Sequence, residues 1–237
     1  MKKIKKVLKL SSLIAIAITG ATISTQAATV YSSVFDTAYL GNNNAVLLGG
    51  ATPNVTAEEW FGATAAQGVT FDPSLTLDLA VANRYRGAGV WLDASAWAAG
   101  TVTVGVDVSN YTAGVGGSDI LFQAYAANGV DASNSVSLDL AFGPPAAGMA
   151  QTGTATIGAL GAAQNISGAA TQDFTFTYNG TDQYIALVFA LSNTTATTYE
   201  AATLDNLTVS TVPEPSTYAL LAGLTGLVYV MVRRRRR

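Results

Sequence analysis

Apolar and polar residues alternate with a period of two along most of the chain. Val102, Val104, Val106 and Val108 are separated by Thr103, Gly105 and Asp107, and Phe174, Phe176 and Tyr178 by Thr175 and Thr177. The alternation resumes after Asn179-Gly180 at Ile185, Leu187, Phe189 and Leu191. Successive side chains of a strand point to opposite faces, so each run predicts a half-buried strand. The Asn-Gly pair predicts a hairpin joining the last two. Further strands are expected over 30–35, 45–48, 89–92, 120–125, 136–140, 152–157 and 204–209. Pro144-Pro145 and the Gly/Ala-rich stretch 158–170 read as loops. About ten short strands with turn signals between them, and no long helical pattern, predict an all-β fold, an antiparallel β-sandwich.

The two ends break this pattern. Lys2, Lys3, Lys5, Lys6 and Lys9 precede an apolar stretch over 10–21, and Thr25-Gln26-Ala27 places small residues where a signal peptidase cuts. Residues 1–27 therefore read as a signal peptide directed to the Sec translocon and removed after Ala27. At the other end, 212–237 holds Val212, Pro213, Glu214, Pro215 and Ser216, then an uncharged run to Val232, then Arg233, Arg234, Arg235, Arg236 and Arg237. An apolar helix settles in a bilayer while an arginine cluster resists crossing it, so the tail reads as a transmembrane helix with a membrane stop. The 15 residues from Tyr218 to Val232 would span about 22 Å, short of a hydrocarbon core of about 30 Å. Snorkelling arginines make up the difference. Both ends place their positive charge on the cytoplasmic side, and 28–211 becomes the exported domain.

The order of these parts, Val-Pro-Glu-Pro-Ser-Thr, apolar helix and terminal arginines, resembles the PEP-CTERM sorting signal of Gram-negative bacteria. That resemblance implies recognition and cleavage near Pro213, Glu214 and Pro215 by a membrane-embedded exosortase. The protein would pass through an inner-membrane intermediate to the cell surface or extracellular matrix, in bacteria that make exopolysaccharide.

Charge changes the picture once the ends are set aside. Of 12 basic residues, ten lie in the two end segments, leaving Arg84 and Arg86, while 14 of 15 acidic residues remain. The exported region is therefore strongly acidic and lysine-free, a surface that repels nucleic acid. With no cysteine, stability must come from a core, which a chain of this length can bury.

The closing segment Tyr199-Glu200-Ala201-Ala202-Thr203-Leu204-Asp205-Asn206-Leu207-Thr208-Val209 is similar to the last strand of jelly-roll domains of the galactose-binding and carbohydrate-binding-module kind. Gln183 to Phe189 is similar to the strand before it. The resemblance implies a jelly roll and makes Asp205 a candidate ligand for a structural calcium, the only cofactor expected.

The absence of histidine from the chain, and of lysine and cysteine from the exported region, excludes Ser-His-Asp, Cys-His and Ser-Lys catalysis and the usual zinc sites. A glycosidase would need two facing carboxylates, and Glu58 and Glu59 are adjacent, hence a poor pair. A non-catalytic, structural or adhesive domain is expected. The alternatives are a carbohydrate-binding module or a glycoside hydrolase. Sugar rings stack on aromatic faces, so Trp60, Trp97 and Tyr85 are the candidate contacts for an extracellular polysaccharide, with Trp60 and Trp97 expected at the surface and Trp91 in the core.

Overall fold

The computed structural model describes residues 27–35, 45–62, 68–71, 73–78, 87–115, 119–140, 148–191, 200–213, 223–227, 229 and 231–233. Its compact unit runs from Ala27 to Pro213. The strands in chain order are β1 (Ala28–Ser33), β2 (Ala45–Gly49), β3 (Trp60–Gly62), β4 (Val69–Thr70), β5 (Leu75–Asp78), β6 (Gly87–Asp93), β7 (Gly100–Thr112), β8 (Ile120–Asn128), β9 (Ser135–Asp139), β10 (Gly148–Gln151), β11 (Thr156–Asn165), β12 (Thr171–Tyr178), β13 (Tyr184–Leu191) and β14 (Ala201–Pro213).

They form three antiparallel sheets. One runs β12-β7-β14-β5-β4 with β1 also paired to β14; a second runs β11-β8-β13-β6-β3; the third is β10-β9-β2. The first two enclose the main core, in which Val102, Val104 and Val106 of β7 face Ile185, Leu187 and Phe189 of β13. Phe174 of β12 stacks on Phe122 of β8 at 4.9 Å between ring centroids, tying the two layers together. On the other face of the five-stranded sheet, Trp91, Tyr125, Ala186 and Val188 pack against Val46 and Leu48 of β2 and Val136 and Leu138 of β9.

The sandwich therefore carries a third layer, and the inner strands of its middle sheet, β8, β13 and β6, are buried on both faces. This corrects the half-buried expectation for β13. Its polar positions are missing because large residues (Ile185, Leu187, Phe189) turn to one core and small ones (Ala186, Val188, Ala190) to the other. The glycines of β6 serve the same close packing: a Cβ on Gly89 would stand 2.7 Å from the Phe61 ring and 2.9 Å from the Leu187 carbonyl.

The expected hairpin at Asn179-Gly180 is also corrected. β12 pairs with β7, while β13 pairs with β6 and β8, so the turn carries the chain from one sheet to the other. The Tyr178 hydroxyl lies 2.9 Å from the Ala94 carbonyl and 2.8 Å from that of Asp182, either of which accepts its proton. That contact pins the crossing. The stretch 158–170, expected as loop, forms most of β11, whose register on β8 shifts between Leu160 and Gln164. Residues 152–155, expected to begin a strand, turn instead, with Gly153 at φ 62°. Pro144-Pro145 lies outside the described residues.

Candidate sorting tail and carboxylate cluster

β14 continues into the sorting segment without a break. Thr211 is buried at 3 % exposure, flanked by Val102 of β7 and Ala28 of β1. Val212 pairs with Thr101 and Pro213 with Gly100. The residue that follows the expected signal cut, Ala28, thus sits one strand away from the start of the tail. Glu214, Pro215, Ser216, Arg234, Arg235, Arg236, Arg237 and the signal residues 1–26 lie outside the described residues. Residues 223–227, 229 and 231–233 are helical, and Leu224, Leu227, Tyr229, Met231 and Val232 expose apolar surface. Among the described residues no helix is long and apolar enough to cross a membrane, so the spanning helix expected over 218–232 is not met by the part described.

The expected surface tryptophans are buried, which corrects their role. Trp60 is 2 % exposed, its ring 4.9 Å from Phe35 and 5.9 Å from Phe71. Trp97, 9 % exposed, meets Tyr178 edge-on at 5.9 Å. Neither offers a free face for a pyranose, because each fills the core at a place where the strand pattern is irregular. Trp91 is in the core, as expected. Tyr85 lies outside the described residues.

Asp205 faces Asp107 across β14 and β7. Its Oδ1 accepts the Asn206 N–H at 2.8 Å, at a register shift where Asn206 has φ 49°. Asp107 accepts from Thr171 Oγ1 at 2.6 Å and Asn206 Nδ2 at 2.9 Å, which hold its carboxyl below the usual range. Among the described residues no three acidic groups converge into a metal set. Around this pair the outer face of the six-stranded sheet presents hydroxyls and carboxylates, including Thr103, Thr175, Thr208 and Asp173.

A more unusual acid is Glu200, which sequence reasoning quoted only as part of the closing segment. It is fully buried just before β14, at the end of the sandwich opposite Pro213. Its Oε2 accepts the Ile120 N–H at 2.7 Å, and its Oε1 has no hydrogen-bond partner. Burial, helped by the nearby Asp119 charge, pushes its carboxyl up to about 7, against the lowering pull of the Ile120 N–H and the Tyr111 hydroxyl. Asp119 in turn accepts from Asn165 Nδ2 at 3.3 Å. The only carboxyl cue available in the sequence was an acid in an otherwise uncharged run. Glu59 is absorbed locally, its Oε2 accepting the Thr56 N–H at 2.9 Å.

The comparisons bear on the tail and the fold separately. Two solved structures similar to this chain are the CBM22-1 xylan-binding domain from Paenibacillus barcinonensis Xyn10C, at 14 % identity and TM-score 0.37 over 79 % of this chain and 97 % of that one, and lectin II from Ulex europaeus, at 12 % identity and TM-score 0.32 over 78 % and 100 %. TmCBM61 in complex with β-1,4-galactotriose follows at 8 % identity and TM-score 0.26, over 64 % and 79 %. Likeness of this degree assigns no ligand. No curated protein matches the chain. Residues 211–237 match the PEP-CTERM protein-sorting motif. The chain is an antiparallel β-sandwich whose last strand runs directly into a PEP-CTERM protein-sorting motif.

Proposed function

We propose that this protein is exported, held by its tail in the inner membrane, cut there by an exosortase-type enzyme, and delivered to the cell surface or extracellular matrix as a structural or adhesive sandwich. The observation that carries the reading is the motif match over 211–237. The described helical residues support it, since their exposed apolar side chains are costly in water and suited to lipid. The Glu214→Ala variant, followed by cell fractionation and immunoblotting, tests it. The full-length variant should stay in the membrane fraction while the wild type is shortened and released; a variant released like the wild type overturns the reading.

The hydroxyl- and carboxylate-rich outer face of the six-stranded sheet favours a second reading, a carbohydrate-binding module for exopolysaccharide. A glycan array with the purified domain decides it, and binding should fall when Thr175 and Asp173 are replaced by alanine. A structural calcium at Asp205 belongs to the same proposal, because Asp205 and Asp107 oppose each other with like charge. Added calcium would then raise the melting temperature of the wild type and leave Asp205→Asn unchanged.

A further inference from the structure

The final strand sets a limit on where the tail can be cut. A protease must hold its substrate extended and unpaired, so a bond inside a sheet is reached only by local opening. Thr211 is paired on both sides, to Val102 and Ala28, and Val212 and Pro213 are paired to Thr101 and Gly100. The compact unit ends at Pro213, and no residue separates it from Glu214. A cut upstream of Pro213 would strip residues from β14, and one upstream of Thr211 would also take from Ala28 its pairing partner.

We propose that the sandwich acts as the upstream stop for the sorting enzyme: the bond broken lies C-terminal to Pro213, and the pairing of 211–213 with β7 and β1 holds back cleavage. This rests on the sorting reading above. In the step itself the peptide C–N bond breaks, the acyl carbon passes to water or to an amine nucleophile, and the tail leaves as a free amine carrying the proton. The mature protein keeps β14 whole, and the strand is lost neither to the enzyme nor to later trimming.

The test is intact-mass and C-terminal peptide spectrometry on mature protein from cells carrying the sorting enzyme, with a pulse-chase of processing. The mature chain should end at Pro213 or beyond it. A terminus at Val212 or earlier, with processing otherwise normal, overturns the limit while leaving the sorting reading intact; a chain that is never processed overturns both. A Gly-Gly-Ser-Gly-Gly-Ser insertion between Thr211 and Val212 keeps Val212 to Ser216 contiguous and releases Val212 and Pro213 from β7. Releasing even one net hydrogen bond shifts an opening equilibrium about fivefold, so this variant should be processed about fivefold faster or more. An unchanged rate overturns the proposed hold.

Discussion

Glu200 makes the stability of the exported domain fall as pH rises through neutrality. Its folded value of about 7 stands above the ordinary glutamate value of 4.5, so the folded state binds the proton more tightly than the unfolded chain. The contribution is complete below about 4.5 and is lost as pH rises through about 7. Each factor of ten in proton affinity is worth about 1.4 kcal/mol, which sets a ceiling of about 3 kcal/mol. Water reaching the partly exposed Asp119 side screens part of it, and about 2 kcal/mol is the expected loss. The window is clean because the chain has no histidine and no cysteine, so no other side chain titrates between pH 5.5 and 7.5 by its ordinary value. Urea unfolding of the signal- and tail-free domain at half-unit pH intervals reads the slope. Glu200→Gln should flatten it, with the greatest relative gain at pH 8. A wild-type stability that is level or rising from pH 5.5 to 7.5 would refute the buried Glu200 carboxyl as the cause.

The other predictions concern the core. Trp60→Ala should cost about 3–5 kcal/mol, read by chemical denaturation, because the ring fills the main core beside Phe35; a near-neutral effect would mean that the ring is exposed after all. Tyr178→Phe should cost about 1–3 kcal/mol through loss of the buried hydroxyl contact to the Asp182 carbonyl, the Ala94 carbonyl keeping the Trp97 N–H, and a neutral result would show that the crossing does not depend on the hydroxyl. Gly89→Ala should lower stability by about 1–3 kcal/mol, since its Cβ would run into Phe61 and the Leu187 carbonyl; circular-dichroism melting detects it, and an unchanged midpoint would argue against tight packing there.

Strand positions were largely legible because period-two alternation is local: β7 and β12 follow directly from Val102 to Val108 and from Phe174 to Tyr178. What strands pair with is not local. The Asn179-Gly180 turn has hairpin chemistry in sequence, yet the neighbours of β13 come from Gly87–Asp93 and Ile120–Asn128, a choice forced by its lack of any polar face. The large-small alternation of β13 was the available sign of a double-sided core. β11 escaped notice because an edge strand of Gly and Ala is held by backbone bonds to β8 rather than by its side chains. Trp60 and Trp97 misled for the converse reason: irregular surroundings suggested the surface, but large rings also fill the gaps where sheets end. For the tail, composition and order carried the reading, while its continuity with β14 emerged only from the register with Gly100 and Thr101.

That continuity has a mechanical side. β14 has neighbours on both flanks, β7 along most of its length, β1 beside residues 207–211 and β5 beside 201–204. A tug on the C-terminal end drags the strand lengthwise between them. All the rungs then resist at once, instead of parting one by one as they would from a peripheral strand. A domain hung by this strand is gripped in the middle of its sheet, where traction finds it hardest to pull apart.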